Sequence, residues 1–97
     1  MDDKERRLST ITGRYCYVAN PCTINPCLPG MAYAIFADGL YYYITVNGRW
    51  SSANRSWDDY EPQSNDSVAV TGHVRERKDA FGKLFYALEA VSLRRNK

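Results

Sequence analysis

The chain has 97 residues, 44% of them apolar and 13% aromatic, and a formal net charge of +2. That length fits one domain, the composition excludes a disordered chain, and so small a charge is no argument by itself for a polyanionic partner. No apolar run is long enough to span a membrane.

In chain order, the opening MDDKERR carries both signs of charge and lacks an apolar core. It therefore does not read as a signal peptide, and residues 1–8 read as a disordered or weakly ordered tail. The default expectation is a cytoplasmic protein, or an exported one if the chain is a mature or trimmed form. Residues 9–19, STITGRYCYVA, are rich in β-branched and aromatic residues and predict a strand bent at Gly13. The next stretch, NPCTINPCLPG, holds prolines at 21, 26 and 29 and predicts an irregular loop.

Residues 31–37 and 40–47 flank Asp38-Gly39, a two-residue hairpin signal. The polar, turn-rich segment 47–66 is expected to be irregular or to hold a short helix from about Ser56. Residues 67–78 alternate Val68, Val70, Gly72 and Val74 against polar neighbours, the pattern of a half-buried strand. Asp79 and Gly82 bracket a type I turn. The last strand is expected over 83–93, although Leu84, Leu88 and Val91 also have helical spacing, and 94–97 form a basic tail.

A hairpin turn at Asp38-Gly39 fixes which residues share a face. One face holds Met31, Tyr33, Ile35, Leu40, Tyr42, Ile44 and Val46 and is the expected interior. The other holds Ala32, Ala34, Phe36, Tyr41, Tyr43 and Thr45, three aromatics over a floor of alanines. The expected core is Ile11, Tyr33, Ile35, Leu40, Tyr42, Ile44, Val68, Val70 and Val74.

Five strands in this order, with glycines centred in TITGRY and VAVTGHV and a final strand–turn–strand in VAVTGHVRERKDAFGKLFYALE, resemble the OB-fold. The resemblance implies an all-β, five-stranded Greek-key barrel over residues 9–93, with the irregular or short helical segment between its third and fourth strands. OB-folds usually plug one end with a helix. Trp50, Trp57 and Tyr60 are the expected substitutes here. The resemblance also implies that ligands lie on the face of the second and third strands and that the proline-cysteine loop borders that face.

Cys22 and Cys27 share that loop, and Cys16 lies on the first strand. Zinc sites bring cysteines together as two close pairs, and only one such pair exists beside the single His73. A redox dithiol needs Cys-x-x-Cys at a helix start, which is absent. A Cys22–Cys27 disulfide is the favoured reading, against three reduced thiols in a cytosolic chain. Cys16 reads as a packed free thiol.

Neither a nucleophile with a spaced base nor paired carboxylates emerge from the sequence, so catalysis is not expected and no cofactor is implied. The expected function is a non-catalytic binding module. Its candidate ligand residues are Phe36, Tyr41, Tyr43, Trp50, His73, Arg75, Arg77 and Lys83. The ligand is single-stranded nucleic acid, an oligosaccharide or a protein segment. The rival expectation is an assembly domain whose aromatic face contacts another copy or a partner.

Overall fold

Two dipeptides set the local geometry. Asp38 and Gly39 both take positive φ, 52° and 78°, the conformation of a type I′ turn. That turn joins β2 (Met31–Ala37) to β3 (Leu40–Val46). Asn47 and Gly48 repeat it at 54° and 77° and join β3 to a short β4 (Arg49–Trp50). The remaining strands are β1 (Ser9–Ala19), β5 (Ser67–Lys78) and β6 (Leu84–Arg95). The structure is a computed structural model that describes residues 8–23 and 30–96.

The strand limits follow the sequence pattern closely. β6 begins at Leu84 and continues to Arg95, where Val68↔Arg95 and Ala69↔Arg94 extend the ladder past the expected end at 93. The third strand divides instead of running to 47, because Asn47-Gly48 turns the chain back on itself. Among the described residues no helix forms, so the segment after β4 is irregular.

The six strands form one sheet in the order β2-β1-β5-β6-β3-β4, and a further β2–β3 pairing closes a ring of hydrogen bonds. Around that ring the order is β1-β2-β3-β6-β5 and back to β1. Every contact is antiparallel except β3 with β6, which runs parallel from Tyr42↔Tyr86 to Thr45↔Glu89.

β1 serves two neighbours. Ser9 to Arg14 pair with β5, and Arg14 to Ala19 pair with β2. The changeover falls beside Gly13, where a Cβ would collide with the Phe36 carbonyl. Gly72 does the same for β5 and β6. The register shifts between Thr71 and Gly72, and a Cβ there would run into the Glu89 carbonyl. Both glycines therefore allow a close backbone approach at a change of pairing.

The interior of the ring is filled by Tyr15, Ile35, Ile44, Val68, Val70 and Leu88, with Trp57 and Leu93 against them. Ile11, Tyr33, Tyr42 and Val74 pack on this core while staying partly accessible. Leu40, expected inside, is 44% exposed because it follows the turn directly and its partner Ala37 is the last pair of the hairpin. Met31, at the other end of β2, is also exposed.

The β2–β3 ladder is shorter than a simple hairpin predicts. It runs from Ala37↔Leu40 to Ala34↔Tyr43 and stops there. Ser51 then enters between the strands. Its N–H donates to the Ile44 carbonyl at 3.0 Å, and its carbonyl accepts from the Tyr33 N–H at 2.8 Å. Bonds through a third segment thus stand where a continued hairpin would pair Tyr33 with Ile44.

Beyond Ser51 the chain packs against the core through Trp57 and Tyr60, which exchange backbone hydrogen bonds of 2.7 and 3.0 Å. Asn65 and Asp66 bond the backbone of Tyr15 and tie the segment to β1. Trp57 is buried in the core cluster and Tyr60 packs against it. Trp50, expected with them, does neither: its ring lies 6.1 Å from Tyr43 and 6.0 Å from Phe85, with the outer aromatics.

Candidate functional site

Strand alternation sends one set of side chains of β3, β5 and β6 away from the core. The register aligns them: Tyr43 beside Ala87, Thr45 beside Glu89, Arg75 beside Ala87, and Arg77 beside Phe85. β2 adds Phe36 opposite Tyr41, and β4 adds Trp50 opposite Thr45. An outer face results with aromatics along β2, β3 and β6 and arginines on β5.

The rings form a connected row. Phe36 and Tyr41 lie 4.9 Å apart, Tyr41 and Tyr43 6.2 Å, and Tyr43 and Phe85 6.0 Å. Trp50 ends the row against both Tyr43 and Phe85. These spacings fall within the range of favourable tilted and edge-to-face contacts. Phe36 and Tyr41 remain more than two-fifths exposed, while Tyr43 is half-buried. Burial pushes the Tyr43 phenol above its ordinary pKa, so it stays neutral.

The alanines do not form an open trough. Ala32 and Ala34 are fully buried, beneath larger neighbours on the same face. Ala34 pairs with Cys16 on one side and Tyr43 on the other, and the Cys16 thiol donates to the Ala34 carbonyl at 3.4 Å. Burial raises the pKa of this thiol, which keeps it protonated and poorly nucleophilic. Cys16 is a free cysteine. The expected Cys22–Cys27 pairing lies outside the described residues, because Cys27 does.

Two hollows flank the row. The first, about 410 Å³, is lined by Trp50 and Phe85 as walls, Ala87 below, and Arg49, Arg75 and Arg77. The second, about 330 Å³, lies between Tyr41, Tyr43 and Phe85 and the β5–β6 turn, with Lys83 and Asp79 at its edge. Thr23 lines the first and Pro21 the second. The start of the proline-cysteine loop thus borders both. It is fixed there by the Ala80 N–H, which donates to the Cys22 carbonyl at 2.6 Å.

The β5–β6 turn is itself well held. The Asp79 carboxylate accepts from the N–H groups of Phe81 and Lys83 at 2.9 and 2.8 Å, and Gly82 supplies the positive φ of 83° that ends the turn. Phe81 stands at its tip, 78% exposed.

Glu89 organises the opposite edge. Its carboxylate accepts from the Thr45 hydroxyl at 2.9 Å and from the N–H groups of Asn47 and Gly48 at 2.8 Å each. These bonds hold the type I′ turn against β6 and so set where Arg49 and Trp50 stand. Among the described residues, no carboxylate pairs with Arg49, Arg75 or Arg77. The Arg75 Nε is buried with no hydrogen-bond partner.

Of the residues singled out from sequence, Trp50, Arg75 and Arg77 meet at the first hollow, and Tyr41, Tyr43 and Lys83 at the second. Phe36 extends the row beyond them. His73 lines neither hollow. It sits half-buried across from Glu89, and its Nδ1 has no partner. Arg49, Phe85 and Glu89 are additions that the sequence reading passes over. Phe85 has a readable signal, since it alternates outward in step with Ala87 and Glu89. Arg49 has one in Asn47-Gly48, which is as strong a hairpin dipeptide as Asp38-Gly39.

No family model, curated protein or solved structure matches the chain.

Proposed function

We propose that this chain is a non-catalytic OB-type binding module that takes single-stranded nucleic acid on its outer face. The strand order supports the OB reading. A ring in the order β1-β2-β3-β6-β5, with β3 and β6 as its one parallel contact, is compatible with the Greek-key path of a five-stranded OB barrel, β4 then being an appendage. The two segments that border the outer face, 21–23 and 79–83, are the counterparts of the loops that frame OB ligand sites.

The observation that carries the ligand class is the row Phe36–Tyr41–Tyr43–Phe85–Trp50 ending beside unpaired guanidiniums. Rings offer stacking platforms that tolerate any base, and arginines offset phosphate charge. A sugar site would need hydrogen-bonding side chains between the rings. The Tyr41–Tyr43–Phe85 stretch offers chiefly rings. With a net charge of +2, affinity rests on local rather than global attraction, and binding is expected to be weak at physiological salt.

The test is anisotropy of a labelled oligonucleotide across a salt series. Tyr43→Ala should lose roughly 1–3 kcal/mol of binding and keep the salt slope. Arg77→Ala should weaken all sequences and make the slope shallower. A protein that ignores oligonucleotides at low salt would sink the reading. If Tyr43→Ala then shifted the sedimentation profile towards monomer, the same face would be a subunit contact.

A further inference from the structure

The first hollow carries more positive charge than passage of a phosphodiester backbone requires. Arg49, Arg75 and Arg77 converge on it, and Glu89 is the one carboxylate in its lining. That carboxylate is turned to the β3–β4 turn, where the Thr45 hydroxyl and the N–H groups of Asn47 and Gly48 hold both its oxygens. Three guanidiniums against one carboxylate leave a surplus of two positive charges in the space of one small ligand. Crowding like charges in this way is unfavourable unless an anion sits among them. The Arg75 Nε is already desolvated and unpartnered, so it lacks the hydrogen bond that burial normally demands.

A phosphodiester carries one negative charge and would offset half of the surplus. A terminal phosphomonoester carries roughly −1.5 to −2 at neutral pH and presents three acceptor oxygens, suited to forked guanidinium donors. The volume of about 410 Å³ lies in the range of small-ligand sites and leaves room for a sugar against Trp50 and Phe85. From there the aromatic row leads away through Tyr43 and Tyr41. Resting on the nucleic-acid reading above, we propose that this hollow is an end-recognition site. It binds the terminal phosphate of a single strand whose following bases stack along the row. Continuity with the rings favours a nucleic-acid end over a phosphorylated protein side chain.

Three oligonucleotides of one sequence test this on the intact chain: 5′-phosphorylated, 3′-phosphorylated, and hydroxyl at both ends. One phosphorylated form should bind about tenfold or more tightly than the dihydroxyl form. Which one it is gives the direction of the strand. That preference should fade as pH falls below about 6, where the monoester loses its second charge. Arg75→Ala should bring the ratio close to one, and so should Arg49→Ala, an exposed residue of β4 whose side chain is outside the core. Arg94→Ala, on an exposed stretch of β6 outside the hollow, should leave the ratio unchanged.

Equal affinity for all three oligonucleotides would overturn the end-recognition proposal and leave the nucleic-acid reading standing. So would a ratio that survives both Arg75→Ala and Arg49→Ala. A phosphoserine peptide that binds as tightly as the phosphorylated oligonucleotide would overturn the assignment of the ligand. Failure to bind any of the three oligonucleotides would instead remove the nucleic-acid reading itself.

Discussion

The aromatic side chains divide into two groups that the same strands hold on opposite faces. On the inner side, Tyr15 stacks on Tyr33 at 4.9 Å and Tyr17 lies 4.5 Å from Tyr33. The Tyr15 hydroxyl donates to Asn54 at 2.7 Å, and the Tyr60 hydroxyl donates to Asp66 at 2.6 Å. On the outer side, the Tyr41 and Tyr43 hydroxyls have no hydrogen-bond partner among the described residues, and Phe36 and Tyr41 keep two-fifths of their surface in water. Tyr15 has both its apolar body and its polar tip satisfied within the chain, whereas Tyr17, whose hydroxyl donates to the Ser52 carbonyl at 3.4 Å, is still 42% exposed. The outer rings have neither fully satisfied. Aromatic content alone therefore does not distinguish rings that stabilise the fold from rings left available to a ligand. Burial of the ring together with a partner for its hydroxyl, as at Tyr15, does.

Substitution should separate the two groups sharply. Tyr15→Ala removes a ring that is 1% exposed and leaves Asn54 without its donor. It should cost about 3–5 kcal/mol of unfolding free energy. Tyr41→Ala should cost no more than about 1 kcal/mol, since it loses only the two ring contacts of an exposed side chain. Urea denaturation measures both. Equal losses would mean that the outer row is structural and would undo the comparison.

A second contrast concerns the backbone instead of the rings. Gly72 lets β5 lie so close to β6 that a side chain would meet the Glu89 carbonyl and Ala90. Gly72→Val should destabilise by roughly 1–3 kcal/mol. It should also disturb the outer face, because Glu89 holds the turn that carries Arg49 and Trp50. An unchanged melting temperature would show that the two strands separate freely at this point.

Much of this arrangement is legible in the sequence because local rules govern it. Asp38-Gly39 sets the hairpin and hence the faces. Alternation of Val68, Val70 and Val74 sets β5, and Asp79 to Gly82 sets the turn into β6. What escapes is set by contacts between distant segments. Nothing near Ser51 signals that its backbone will enter between Tyr33 and Ile44. The parallel β3–β6 contact that closes the ring has no local marker either. Trp50 and Trp57 lie in one polar segment, yet a turn sends the first outward and the packing of the second draws it inward. The aromatic row is half legible for the same reason. Phe36, Tyr41 and Tyr43 come from one hairpin, whereas Phe85 and Trp50 join it only once the ring is closed.

The smallest expected effect sharpens the inner side of the comparison through pH. Burial, the largest cause, and the neighbouring Tyr33 and Tyr60 push the Tyr15 phenol well above its ordinary value of 10.0. In the unfolded chain the same phenol ionises near that ordinary value. A group whose folded pKa is raised contributes stability that is fully present below the unfolded value and is lost as pH rises through the folded one. Between neutral pH and about 10, wild type should exceed Tyr15→Phe by about 1 kcal/mol, the worth of the bond to Asn54. Above pH 10 the unfolded wild-type chain gains an ionised phenolate that the folded state refuses. The gap should then shrink by at most about 1.4 kcal/mol per pH unit. The other seven tyrosines are common to both proteins, so the difference between the two denaturation curves isolates Tyr15. A gap that stays constant to pH 11 would mean that Tyr15 ionises as readily in the folded chain as in the unfolded one. The inner rings would then be no better sequestered from water than the outer row.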